Sequence, residues 1–213
     1  MTKLTGQEIT DGTPDGWVYL RNALRTRLRT GDFATGLALV NAIGGAAEAV
    51  DHHPDLDLRY GWVDVRLYSH DVGRVTGRDL RLAATISELA AAAGVAAGAD
   101  GLTVLELALD SPGFPEQLGF WEAVLGYPRD GEGDLLDPYQ KVPLIWFQRS
   151  GDEEPRQRWH PDLWVAPAEV RPRIEAALAA GGTLVSEADA PRFWVLADPE
   201  GNKVCLCTWQ GRE

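Results

Sequence analysis

The sequence has two cysteines, four histidines and no long apolar run in its 213 positions. Two cysteines cannot build a disulfide framework in a chain of this length. Cys205 and Cys207 stand two apart, facing one side of a strand, which is an awkward spacing for a bridge, so two reduced thiols are expected. No segment reaches the roughly 20 apolar residues of a membrane span, and the most apolar window, 86–97, is short and alanine-rich. Residues 1–16 place Lys3, Glu8, Asp11 and Asp15 where a secretory signal needs an apolar stretch. A cytoplasmic protein with no membrane contact is the expectation.

Positive charge is also scarce, with 20 Lys and Arg against 32 Asp and Glu and a formal net charge of -12. The deficit lies beyond residue 95, where ten basic residues face twenty acidic ones; before it, ten face twelve. So acidic a second half repels phosphate backbones, and nucleic acid is not expected as a partner.

The chain does have enough apolar residues, 45%, to bury a core in each of two domains. In the first half, Thr5 and Glu8 suggest a short capped helix, and residues 17–20 and 23–29 look extended. The alternation of Leu24 and Leu28 with Arg25, Arg27 and Arg29 gives that second run one wet face. Asp32 is a plausible N-cap for a helix over 33–50, with Phe33, Leu37, Val40, Ile43, Ala47 and Val50 at helical spacing. The pair Gly44-Gly45 inside it suggests a close approach by another element. Residues 56–69 carry a strand signal whose phase changes near Gly61-Trp62, as at a bulge or bend. A second helix is expected over 76–93, capped at Thr76 with Asp79 in its first turn. Residues 94–100 are the best linker candidate.

Three of the four histidines, His52, His53 and His70, fall within residues 48–79. Imidazole titrates near neutrality, so such a cluster points to proton transfer, metal binding or a pH switch. His52 and His53 are adjacent and cannot easily ligate one ion together, so no metal is expected there. Capping of the preceding helix is the plain structural alternative.

The blocks Glu48…His52-His53-Pro54, Ser69-His70-Asp71 and Thr76-Gly77-Arg78-Asp79, in this order, resemble pterin-4a-carbinolamine dehydratase, over nearly all of residues 5–93. The resemblance implies His52, His53 and His70 as catalytic, Asp79 as their acidic partner, and Glu48, Ser69 and Arg78 as lining a pterin site. It implies a hydro-lyase, 4a-hydroxytetrahydrobiopterin dehydratase, with a small pterin substrate, no cofactor, and a homo-oligomer, dimer or tetramer. Leu56 stands where the family commonly has tryptophan, Ser69-His70 stands for its Thr-His, and Gly73-Arg74-Val75-Thr76 for its Gly-Gly-Leu-Thr turn. Arg74 bears on that turn's geometry if its second position needs φ > 0. Losing the 4a hydroxyl as water calls for an acid at the leaving oxygen and a base at a ring nitrogen, roles two imidazoles can fill.

From residue 101 the pattern changes. Strands are expected over 102–109, 134–136 and 144–148 with a helix over 114–125. The order then recurs: strand 159–165, helix 167–180, and strands 183–186, 192–196 and 203–209. Two copies of one strand-helix-strand-strand-strand unit make an internal repeat. Phe120-Trp121…Val124-Leu125-Gly126-Tyr127 and Asp198-Pro199-Glu200-Gly201-Asn202 resemble the glyoxalase, or vicinal-oxygen-chelate, superfamily, many of whose members bind a divalent metal. His160 matches one ligand position and Cys205 falls near another, but the first strand offers only Thr103 unless Glu106 substitutes. A metal-free cavity is the expectation. Trp121, Trp146, Trp159, Trp164 and Trp194 are expected in the core, with an aromatic pocket as the alternative.

The fold expected is α+β: residues 1–95 as an antiparallel sheet with helices on one face, and residues 101–213 as paired βαβββ modules. The function expected is dehydration of 4a-hydroxytetrahydropterin by histidine acid/base chemistry, with an accessory second domain. Two alternatives are a non-catalytic pterin-binding or regulatory oligomer and a metal-dependent enzyme acting through the second domain.

Overall fold

The computed structural model describes residues 4–111, 127–129, 133–137, 143–149, 159–197, 201 and 203–212. It divides into two units, Met1–Leu102 with Trp209–Glu213, and Thr103–Thr208.

The first unit opens with α1 (Gly6–Asp11), whose start is closed by the reciprocal Thr5–Glu8 capping box. Strands β1 (Val18–Leu20) and β2 (Ala23–Arg29) pair antiparallel, and α2 (Phe33–Ala49) follows. Asp32 caps α2 by accepting from the Thr35 backbone N–H at 2.8 Å. Next come β3 (Asp55–Leu58), β4 (Trp62–Leu67), α3 (Gly77–Ala92) and β5 (Ala96–Gly98). The sheet runs β1-β2-β4-β3 with β5 also paired to β2, and every pair is antiparallel.

Periodicity decides which faces meet. Leu24 and Leu28 of β2 and Val63, Val65 and Leu67 of β4 are buried at period two. They pack with Leu39 and Ile43 of α2 and Leu82, Ile86 and Ala90 of α3, spaced as one helical face. Trp17 joins this core and donates its indole N–H to Ser87 Oγ at 2.9 Å.

Three details depart from the sequence pattern. The signal over 56–69 is a hairpin rather than one bent strand. Leu58 pairs with Val63, and the chain reverses where the Arg59 N–H meets the Trp62 carbonyl at 2.9 Å. Reversal moves the inward phase from even to odd positions. Second, the linker candidate contains β5, whose residues 96–98 pair with Arg29, Leu28 and Arg27. Third, a Cβ on Gly44 or Gly45 would meet nothing within 4 Å. The close approach on α2 is at Gly36, where a Cβ would stand 2.7 Å from Leu58 Cδ1.

In the second unit, β6 (Val104–Ser111), β7 (Leu144–Arg149), β8 (Trp159–Trp164), α4 (Pro167–Ala179), β9 (Thr183–Ser186), β10 (Phe193–Ala197) and β11 (Lys203–Cys207) follow. One sheet runs β7-β6-β8-β11-β10-β9. From β8 to β11 the order is βαβββ: β11 lies parallel to β8, and β10 lies antiparallel to β11. The first copy mirrors it, with β7 parallel to β6 and Leu135 bridging antiparallel to Ile145 of β7. The fold is thus α+β throughout. Trp164 and Trp194 are buried, whereas Trp146 and Trp159 are half-buried. Trp121, the helix expected over 114–125, and most of the two glyoxalase-like motifs lie outside the described residues.

Candidate active site

The end of α2 places the first histidines. Val50 closes the helix and Asp51 takes φ 48°, a left-handed conformation that aspartate tolerates better than most side chains. The Asp51 N–H then meets the Glu48 carbonyl at 3.3 Å and the His52 N–H meets the Ala47 carbonyl at 3.2 Å. This is a Schellman turn, and it reverses the chain so that His52 turns inward. His52 is buried, and its Nε2 lies 2.8 Å from Asp79 Oδ1.

Asp79 owes its position to the start of α3. Its Oδ2 accepts from the Thr76 backbone N–H at 2.7 Å, as the acidic half of a capping box. The same oxygen accepts from Ser69 Oγ at 2.7 Å and Thr76 Oγ1 at 3.1 Å. Asp79 and Ser69 are fully buried. One carboxylate therefore caps a helix, fastens the 69–74 turn and faces an imidazole. A carboxylate only accepts, so His52 Nε2 carries a proton, leaving Nδ1 as the nitrogen able to exchange one.

The 69–74 turn closes through the Ser69 N–H on the Arg74 carbonyl at 3.0 Å. The left-handed position in it is Gly73, at φ 65°, while Arg74 is not among the positive-φ residues. The Arg74 departure therefore leaves the turn unstrained.

The remaining sequence-predicted residues spread outward. His53 is exposed and its Nε2 meets Glu48 Oε1 at 3.1 Å, also at the surface. His70 is exposed and packs against the Tyr68 ring, centroids 4.1 Å apart. Arg78 donates to Asp71, and this hydrogen bond is the main cause holding the Asp71 carboxyl below its usual range.

A cleft of about 250 Å³ opens beside this cluster. His52, Arg78, Arg81 and Thr85 supply its polar wall, with Val50 and Leu82 among its apolar groups. Of the seven residues expected at the site, only His52 and Arg78 line it. Asp79 and Ser69 stand behind His52, whereas Glu48, His53 and His70 are outside the lining. Arg81, Leu82 and Thr85 were missed by the sequence reading. With Arg78 they fall at helical spacing on one face of α3, a signal the sequence did contain.

The first unit is similar in sequence to known proteins. Residues 2–89 match the family described as pterin 4 alpha carbinolamine dehydratase. A Chloroflexus aggregans protein provisionally named pterin-4-alpha-carbinolamine dehydratase is 37% identical over 92 residues, covering 42% of this chain and 98% of its own. The chain belongs to the pterin-4a-carbinolamine dehydratase family. An Aquifex aeolicus protein with the same provisional name is 39% identical over 75 residues, 35% of this chain and 76% of that one. The solved structure titled transcriptional coactivator/pterin dehydratase from Brucella melitensis is 30% identical, covers 42% of this chain and 99% of that one, and gives a TM-score of 0.40.

Beyond the dehydratase-family region, residues 106–207 match a glyoxalase-like domain. A glyoxalase/bleomycin resistance protein/dioxygenase superfamily member from Vibrio splendidus aligns at 13% identity, covering 50% of this chain and 99% of that one, with a TM-score of 0.36. In this unit His160 Nδ1 lies 3.1 Å from Asp110 Oδ2 and Nε2 lies 3.6 Å from Asp162 Oδ1. Cys205 of β11 stands opposite Asp162 of β8. Both cysteines are buried and outside any disulfide. Glu106, the substitute ligand considered from sequence, accepts from Trp164 Nε1 at 2.6 Å. Asp162 was missed, although two-residue spacing from His160 on a strand puts both on one face. Among the described residues no helix is long and apolar enough to cross a membrane.

Proposed function

We propose that the first unit dehydrates a 4a-hydroxytetrahydropterin to the quinonoid dihydropterin and water. The observation that supports this best is the buried His52–Asp79 pair beside the cleft that His52 and Arg78 line. In the reaction the C4a–O bond breaks, the departing hydroxyl takes a proton, and a ring nitrogen gives one up. His52 is the proton-transferring group, exchanging at Nδ1, and Asp79 is a positioning residue that fixes its tautomer and stabilises its charged form. Proton transfer by a positioned side chain is worth about 10²–10⁴ in rate. Arg78, in the cleft wall, orients the substrate. His53 and His70, exposed outside the lining, enter as the partners that supply or take the second proton when substrate is bound. Glu48 supports His53 through their surface contact.

Dehydration of chemically prepared carbinolamine by the full chain tests this reading. Wild type is expected to exceed the buffer rate, and His52→Gln, which retains a donor toward Asp79 but has no titratable nitrogen, to lose about 10²–10⁴ of it. A wild-type rate equal to buffer overturns the proposal, as does full activity in His52→Gln. The protein is further proposed to act in the cytoplasm as a homo-oligomer. The outer position of β3 in its sheet and the exposure of Phe33 and Leu37 along α2 favour assembly. Light scattering that gives a monomer mass at working concentration removes that part.

A further inference from the structure

We propose that the second unit carries a thiophilic divalent-metal site whose ligands are His160, Asp162 and Cys205, with Asp110 as the positioning residue behind the histidine. Among the described residues these three form the one group whose donor atoms all lie within 4.8 Å of one another. The sheet brings them together. His160 and Asp162 are two apart on β8 and share a face, and the parallel register of β11 sets Cys205 opposite Asp162.

The spacing fits an ion. Ligands roughly 2.0–2.3 Å from a tetrahedral zinc stand about 3.3–3.8 Å apart. His160 Nε2 and Asp162 Oδ1 are at 3.6 Å already. Closing the widest separation takes about an ångström of side-chain movement around an ion of this size. The second nitrogen of the imidazole is also accounted for. Nδ1 faces Asp110 Oδ2 at 3.1 Å, so the neutral tautomer keeps its proton there and turns the Nε2 lone pair toward Asp162. A carboxylate behind a ligating histidine is the usual arrangement at such centres. The Trp146 ring packs against the imidazole in a T-shaped arrangement, with centroids 5.8 Å apart.

His160 and Cys205 fall at or near ligand positions that the glyoxalase-like resemblance implies, and the donor set departs from it in Asp162 and in the strands it uses. There, ligands come from strands of both modules. Here all three come from β8 and β11, while Thr103 is exposed and Glu106 is bonded to Trp164. A set containing a thiolate and an imidazole favours zinc or cobalt over the oxygen-seeking magnesium and calcium. Binding deprotonates the Cys205 thiol and releases that proton to solvent. Three protein donors leave a fourth tetrahedral position open, as in catalytic rather than structural zinc sites.

Cobalt(II) titration of the chelator-treated full chain tests the site without reference to any enzymatic activity. The expected result is one ion bound with a thiolate-to-cobalt charge-transfer band in the near ultraviolet, displaced by zinc and untouched by magnesium. Cys205→Ser should lose the band, and Cys207→Ser, two residues along the same strand, should keep it. Asp110→Asn should keep the band but weaken binding about 10- to 100-fold. His160→Gln should abolish binding, giving an independent reading if Cys205→Ser melts early in the absence of metal. The proposal is overturned if wild type shows no charge-transfer band, if the band survives Cys205→Ser, or if His160→Gln binds as wild type does. None of these results bears on the dehydratase reading, which concerns the other unit.

Discussion

His52 and Asp79 are 27 positions apart in the chain and 2.8 Å apart in space. One follows the C-terminal turn of α2, and the other closes the N-terminal turn of α3. Packing of the two helices on one sheet face brings these ends together. The carboxylate is already fixed by Ser69 and Thr76, so the imidazole meets a partner that has no freedom to move away. Rigidity of this kind is what a proton-transferring group needs, because misplacement lowers the rate steeply.

Ser69→Ala removes a donor to a fully buried carboxylate. A hydrogen bond to a charged group is worth about 1.5–3 kcal/mol, so chemical denaturation should show a stability loss of that order. Dehydration should slow as well, since Asp79 orients His52. Ser69→Thr retains the hydroxyl and should restore both. Unchanged stability and rate in the alanine variant would show that the backbone and Thr76 alone are sufficient to hold Asp79.

The glycines of α2 should respond unequally to alanine, with Gly36 gaining least. At Gly36 a Cβ would stand 2.7 Å from Leu58 Cδ1, so Gly36→Ala forces the end of that side chain to shift, which offsets the propensity gain. Gly44 and Gly45 face open space. Alanine at either should add up to about 1 kcal/mol through helix propensity. Thermal melting of the three variants reads the signs directly.

The Asp71–Arg78 pair predicts a titration. Hydrogen bonding from Arg78 lowers the Asp71 value in the folded protein. The stabilisation is therefore present above the unfolded aspartate value of about 3.9 and is lost as pH falls through the folded value. Carboxyl NMR should place Asp71 below the ordinary range, and Arg78→Gln should return it there. An Asp71 titration that ignores the substitution contradicts the cause assigned.

Ile86 is fully buried between α3 and the sheet. Ile86→Ala should lower the unfolding free energy by about 2–5 kcal/mol, depending on how far the cavity collapses. A loss well under 1 kcal/mol in urea would mean the two helices can repack over the sheet.

Much of this was legible from residues alone, where the controlling interactions are local. The caps at Thr5, Asp32 and Thr76 act within three residues, and their side chains name them. The strand over 23–29 and the helix faces follow from spacing, because period two and period 3.6 sort side chains to faces before any packing occurs. The blocks around His52, Ser69 and Asp79 likewise carried the family resemblance without coordinates. What tertiary structure decided is which of those groups meet. The sequence places three histidines at the site, with His52 and His70 as the proton-transferring pair. The left-handed Asp51 turn sends His52 to Asp79, while His53 and His70 stay at the surface. The same holds for Cys205, which meets Asp162 only because β11 lies in register beside β8, and for residues 96–98, which read as linker until β2 offered them an edge. Local propensity fixes how each element begins, ends and presents its face. Contacts between distant residues depend on register and helix packing, which no short window of sequence contains.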